Sequence, residues 1–318
     1  MKASRHFQKL PPSSYQLLAH MHPHIRISPF VPREWERLLN TQLSKTRNIA
    51  ESPSFWLNKA KDIQYYDSGR TALLACLKHL RLKSTDEVLI ETTTGGKYIS
   101  SCVTETIEKI CWWSQKISNK TKLILVIHEF GFPYPQDKMK CLKQTRIPIL
   151  EDCAYGLGTR FEGGRVGIDG DFALYSLTKY FPVPLGGFLV SRKKINSSGQ
   201  KLKISFDEGQ LLQKTINASF PLIKSWNKIR RENWEFFARR LKPHQCSPYF
   251  PISSRIVPGS FVAKVPAKFP GEKVKKRLNE AGVESTQYYH MGGFYFPVHQ
   301  FLTDYEKEYI LQYFLRKR

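Results

Sequence analysis

Leu-Ile-Leu-Val-Ile at positions 123 to 127, followed directly by His128-Glu129-Phe130-Gly131, is the stretch that decides the fold. Five apolar residues in a row lack the alternation of a half-exposed strand, so the run predicts a strand buried on both faces, as in a parallel sheet. Runs of the same kind occur at 87 to 90, 147 to 150, 172 to 175 and 188 to 190. Helical patterns separate them. After Ser68-Gly69-Arg70 the residues Leu73, Leu77 and Leu80 fall on one helical face, and a second helix is expected over about 98 to 110. Strands alternating with helices across 65 to 195 predict an α/β fold with a doubly wound, mostly parallel sheet.

Outward from this block the texture changes on both sides. Residues 1–50 hold Pro11-Pro12, Pro23, Pro29 and Pro32, and are expected to form an irregular arm on the large domain with a short helix over 33 to 44. The large α/β domain is assigned to 51–205. Residues 206–318 are assigned to a connecting helix and a smaller C-terminal α+β domain. Ile229, Phe236, Phe237 and Leu241 mark the connecting helix, ending near Pro243. A strand at 260 to 265, a helix over 271 to 281 ending at Gly282 and a last helix from Asp304 complete the small domain.

The 318 residues are 41% hydrophobic and 13% aromatic, as in a globular protein, and no run approaches the roughly 18–20 apolar residues of a membrane span. The first thirty residues lack a secretory pattern, so a cytoplasmic protein is expected. Six cysteines form no CxxC pair and read as reduced thiols. Fifty Lys+Arg against 27 Asp+Glu leave a net charge of +23. That favours anionic partners or is a solvated basic surface. The Lys273, Lys275, Lys276, Arg277, Arg316, Lys317 and Arg318 group is expected to bind polyanions non-specifically, with no specific nucleic-acid partner.

Three segments carry the chemistry: Asp67-Ser68-Gly69-Arg70-Thr71, Glu151-Asp152-Cys153-Ala154-Tyr155-Gly156, and Tyr175-Ser176-Leu177-Thr178-Lys179 followed by Gly186-Gly187. Each sits where a strand ends or a helix begins, the places that line the ligand crevice of an open parallel sheet. Together with Val126-Ile127-His128-Glu129-Phe130-Gly131 and Gly170-Asp171, in this order, they resemble the DegT/StrS sugar aminotransferases, pyridoxal-phosphate enzymes of the aspartate-aminotransferase fold. The similarity is good over 65 to 195. It continues more weakly through Arg231-Glu232-Asn233 and Ala281-Gly282-Val283 to Phe296-Pro297.

The resemblance implies that Lys179 holds pyridoxal 5'-phosphate as a Schiff base and carries a proton during transfer, while Asp152 keeps the pyridine nitrogen protonated. Ser68, Gly69, Arg70 and Ser176 are placed around the phosphate, and Tyr155 against the ring. It further implies transfer of an amino group from glutamate to a nucleotide-linked keto-sugar, by a homodimer. A sugar dehydratase and a non-catalytic protein that binds a polyanion or a partner are the alternatives. The chain departs from the family at Tyr155, where many members have Gln, and in lacking an aromatic after the second strand unless Tyr98 substitutes. It is also shorter by about a helix between Cys111 and Leu123, and its Ser176-to-Lys179 spacing is tight.

No GxxxxGK, GxSxG, HExxH or zinc spacing is present, and no metal site is expected. His20, His22 and His24 alternate, but a solvated loop is the simpler reading. His128, His290 and His299 are weaker candidates for the pocket's surroundings.

Overall fold

The computed structural model describes residues 24–40, 62–194 and 205–316. Its elements, in chain order, begin with helix α1 (Pro32–Asn40) and strand β1 (Asp62–Tyr66). The α/β block follows: α2 (Gly69–His79), β2 (Glu87–Thr92), α3 (Ser101–Glu108), β3 (Trp112–Ser114), β4 (Thr121–Ile127), α4 (Gln136–Gln144) and β5 (Ile149–Asp152). A small hairpin, β6 (Arg160–Phe161) and β7 (Gly164–Arg165), precedes β8 (Phe172–Ser176) and β9 (Gly187–Ser191). Helices α5 (Phe206–Ser219) and α6 (Ile223–Leu241) lead to β10 (Ser247–Pro248), β11 (Ser260–Lys264), α7 (Gly271–Glu280), β12 (Thr286–Tyr288), β13 (Gly293–Pro297) and α8 (Asp304–Leu315).

Seven strands form the large sheet in the order β1-β9-β8-β5-β4-β2-β3. The five from β8 to β3 are parallel, whereas β9 runs antiparallel to β8 and β1 antiparallel to β9. The apolar runs are buried on both faces, as their lack of alternation requires. Val88, Ile90, Leu123 and Leu125 pack under α2 and α3, while their neighbours Leu89, Ile124 and Val126 pack under Tyr134 and Met139 on the other side. Further along the sheet, Ala173, Tyr175, Phe188 and Val190 meet Leu212, Ile216, Ile223 and Trp226 of α5 and α6. At roughly 1.5–3 kcal/mol per fully buried large apolar side chain, this two-sided burial is what fixes the strands.

The segment between β3 and β4 contains no helix, so the shortening read from the sequence is a tight connection at the sheet edge. Helix α1 spans nine residues; the positions expected to extend it, 41 to 44, lie outside the described residues. Leu38 of α1 joins the core of the large sheet, but Ile25 packs in the core of the C-terminal unit and its N–H donates to the Gly282 carbonyl at 3.1 Å. The described part of the arm thus touches both units. The C-terminal unit is a four-stranded antiparallel sheet, β10-β11-β13-β12, closed by α7, α8 and the end of α6 around Phe261, Phe294, Phe296 and Phe314.

Among the described residues no helix is long and apolar enough to cross a membrane.

Candidate active site

Strands β4, β5 and β8 are parallel, so their C-terminal ends finish on one edge of the sheet. There they open on a cleft of about 430 Å³. Ser68, Gly69, Arg70, Asp152, Tyr155, Ser176 and Lys179 all line it. Seven residues spread over more than a third of the chain are therefore brought together by topology alone.

Asp152 is the last residue of β5. Its Oδ1 accepts the Ala154 N–H at 2.9 Å, and among the described residues no cation pairs with it. Burial pushes its carboxyl above the usual range, against the Ala154 N–H and the nearby His128. An ionised carboxylate here needs a positive partner inside the cleft.

Lys179 ends the short 3-10 turn that follows β8, and its Nζ lies 5.1 Å from the centre of the Tyr155 ring. The Tyr155 phenol raises the Lys179 ammonium above its ordinary value, and burial opposes this. The turn itself is held from behind. Arg230 of α6, almost fully buried, donates from Nη2 to the Lys179 carbonyl at 3.1 Å and from Nε to Gln300 Oε1 at 2.7 Å. Gln300 in turn donates to the Tyr180 carbonyl at 3.0 Å.

The third corner is the start of α2. Ser68 is its N-cap: Oγ accepts the Thr71 N–H at 3.2 Å and donates to Asp67 Oδ1 at 3.1 Å. Its hydroxyl is thus engaged in capping, which differs from a free anion ligand. The N–H groups of Gly69 and Arg70 find no acceptor among the described residues and stand at the positive end of the helix. Ser176 Oγ and Thr178 Oγ1, 3.1 Å apart, lie on the facing wall. The double glycine has a packing reason: a Cβ at Gly187 would sit 2.5 Å from the Ser68 carbonyl carbon. Only glycine lets β9 approach the turn that carries Ser68 and Gly69.

Several lining residues were not among the expected site residues. Tyr98 lines the cleft, its hydroxyl 3.1 Å from that of Tyr295. His128 also lines it, with its side chain buried: Nδ1 accepts the Tyr134 N–H at 3.0 Å, so the proton resides on Nε2, 2.9 Å from Glu151 Oε2. Glu151 also accepts the N–H groups of Gly167, Asp169 and Gly170. Burial acts to raise its carboxyl, but the His128 contact and these N–H groups outweigh it and hold the group below its ordinary value. Cys153 is close to both, yet with so many donors on Glu151 the trio is a structural knot. Glu129 accepts the Thr94 N–H at 2.7 Å and the Tyr288 hydroxyl, tying the cleft wall to the C-terminal sheet. Its neighbour Phe130 adopts a left-handed conformation at φ 52°. His290 and His299 do not line the cleft, and His20 and His22 lie outside the described residues.

Residues 109–197 match the DegT/DnrJ/EryC1/StrS aminotransferase family. That match covers less than a third of the chain. GDP-perosamine synthase of Escherichia coli O157:H7 is 28% identical over 178 residues, which cover 50% of this chain and 49% of that protein. The chain thus spans about half the length of this relative. UDP-N-acetyl-3-dehydro-alpha-D-glucosamine 3-aminotransferase of Acidithiobacillus ferrooxidans is 25% identical over 264 residues, 71% of this chain and 69% of that protein. Among solved structures, the putative sugar aminotransferase Spr1654 of Streptococcus pneumoniae superposes with a TM-score of 0.70 at 15% identity, covering 90% of this chain and 96% of that one. Its pyridoxal-phosphate form gives a TM-score of 0.69 at 14% identity, over the same 90% and 96%. The chain therefore has the fold of these solved aminotransferases, an α/β fold whose mostly parallel sheet the strand pattern indicated.

Proposed function

We propose that this protein is a pyridoxal-phosphate-dependent aminotransferase that takes an amino group from glutamate and delivers it to a nucleotide-linked keto-sugar. The observation that carries the reading is the placement of Lys179 and Asp152 in one cleft, the carboxylate buried without a cation. Pyridoxal phosphate fits these residues: a protonated pyridine nitrogen supplies the charge that Asp152 lacks, and the phosphate suits the N–H groups of Gly69 and Arg70 beside Ser176. When bound, the group supplies an electron sink that stabilises a carbanion at the substrate carbon.

The remaining steps belong to the protein. Lys179 would hold the cofactor through its Nζ and would move a proton at that atom. Asp152 would keep the pyridine nitrogen protonated, and Tyr155, beside Nζ, would receive or return a proton. Tyr98, which lines the cleft, would be the aromatic available to the ring. A lysine at 179 favours the aminotransferase over a dehydratase, whose relatives carry histidine there. The amino donor and sugar acceptor are read from the resemblance and from the sugar aminotransferases to which the chain is similar. The same reading makes the protein a cytoplasmic homodimer.

Adding glutamate to the cofactor-loaded protein tests the reading: the absorption band of the cofactor is expected to shift as the amino group is taken up. A band unchanged by glutamate at any concentration would refute the aminotransferase and favour the non-catalytic binder.

A further inference from the structure

A second cleft, of about 570 Å³, shares no lining residue with the first. Tyr175 lines it, whereas Leu174 and Ser176 line the candidate active site. Successive strand residues point to opposite faces, so the second cleft lies behind β8. Its walls are the β6–β7 hairpin, the first turns of α6 and the segment 254–257.

Five cations meet there: Arg160, Arg165, Lys224, Arg231 and Arg255. Among the described residues no carboxylate lines the cleft. No ion pair among them engages Arg160, Lys224, Arg231 or Arg255. Arg160 and Arg165 stand directly opposite each other in the hairpin register, an arrangement of like charges that costs stability. The Arg160 N–H donates to the Arg255 carbonyl at 2.9 Å, which brings a third guanidinium-bearing residue alongside. On α6, positions 224, 227 and 231 share one helical face. Tyr180 donates its hydroxyl to Asn227 Oδ1, which leaves the amide NH2 of Asn227 as a donor at the cleft.

A general basic surface spaces its charges apart, whereas here they converge on one concavity with an amide donor. The volume is that of a small-molecule site, and walls on three sides do not suit a continuous nucleic-acid backbone. We propose that this cleft binds a small molecule bearing a diphosphate, its oxygens held by Arg160 and Arg165 of the hairpin, Arg255, and Lys224 and Arg231 of α6. The inference stands independently of the chemistry assigned to Lys179. A ligand here lies behind the strand that carries Ser176.

Titration calorimetry of the full chain loaded with pyridoxal phosphate, which fills the anion-binding corner of the first cleft, tests it with inorganic pyrophosphate. One saturable site is expected. The pairs Arg160→Gln with Arg165→Gln, and Lys224→Gln with Arg231→Gln, are each expected to weaken binding by about tenfold or more. Lys276→Gln, on α7 and outside both clefts, is expected to leave it unchanged. Melting curves on each variant establish folding, and either pair alone carries the test. A nucleoside diphosphate that binds more tightly than pyrophosphate assigns the ligand to nucleotides; equal affinity assigns recognition to the diphosphate group. Absence of saturable binding, undiminished binding in both double variants, or loss in Lys276→Gln would overturn the proposal.

Discussion

Arg230→Met probes how the fold holds its candidate catalytic lysine. Arg230 lies in the core without a carboxylate partner among the described residues, and burial lowers its pKa from an ordinary 12.5 to about 10. That shift corresponds to a cost of about 3 kcal/mol for keeping the guanidinium charged in the folded state. Against it stand two close charge-assisted bonds, to Gln300 Oε1 at 2.7 Å and to the Lys179 carbonyl at 3.1 Å. At about 1.5–3 kcal/mol each they contribute about 3–6 kcal/mol. Longer contacts to the carbonyls of Tyr180 and Pro258 and a position 4.8 Å over the Tyr180 ring add a little more. Methionine matches much of the volume, removes the charge cost and leaves the Lys179 carbonyl without its donor. The expected net loss is about 1–3 kcal/mol, read as a lower urea midpoint. Pyridoxal phosphate should also attach more slowly, because the turn that presents Nζ is no longer gripped. A variant as stable as the wild type, or more stable, would show that the hydrogen bonds do not outweigh the burial cost and would refute the reasoning.

Tyr155→Phe removes the largest cause of the raised Lys179 pKa. Only the neutral amine attacks an aldehyde, so the pH midpoint for cofactor attachment should move down; a midpoint that stays or rises would contradict the assignment. Asp152→Asn should keep the cofactor yet slow the glutamate half-reaction by orders of magnitude, since the pyridine nitrogen loses its carboxylate; stopped-flow absorbance reads this, and an unchanged rate removes Asp152 from its role. Gly187→Ala places a Cβ 2.6 Å from the Gly69 nitrogen, and thermal unfolding should register a loss of about 1–3 kcal/mol with weaker cofactor retention. A fully stable alanine variant would mean that β9 can move away from the α2 turn.

The parallel strands β2, β4, β5 and β8 were legible because residues buried on both faces leave an unbroken apolar run, as at 123 to 127, whereas β3, a three-residue edge strand with Trp112 exposed, was not. β1, Asp-Ile-Gln-Tyr-Tyr, was not: it is an edge strand with polar residues, and its pairing with β9 is a long-range fact. The reversed direction of β9 leaves no mark in Gly-Phe-Leu-Val-Ser either, since side-chain burial does not depend on strand polarity. In the cleft, Lys179 and Asp152 were found because ordered motifs flank them. Glu129, Glu151 and Arg230 were missed. Their partners are backbone groups and distant side chains, and such contacts follow from packing without local spacing. The engagement of the Ser68 hydroxyl as a cap was foreshadowed by its place before an apolar helical pattern, a signal that serves anion binding and capping alike.

Borohydride reduction of the protein loaded with pyridoxal phosphate, followed by peptide mapping, tests the central claim most directly. Lys179 is the expected site of the stable pyridoxyl label, and Lys179→Ala should abolish it while the protein keeps its melting curve. A label on any other lysine, or none in a protein that retains the cofactor, would contradict the account.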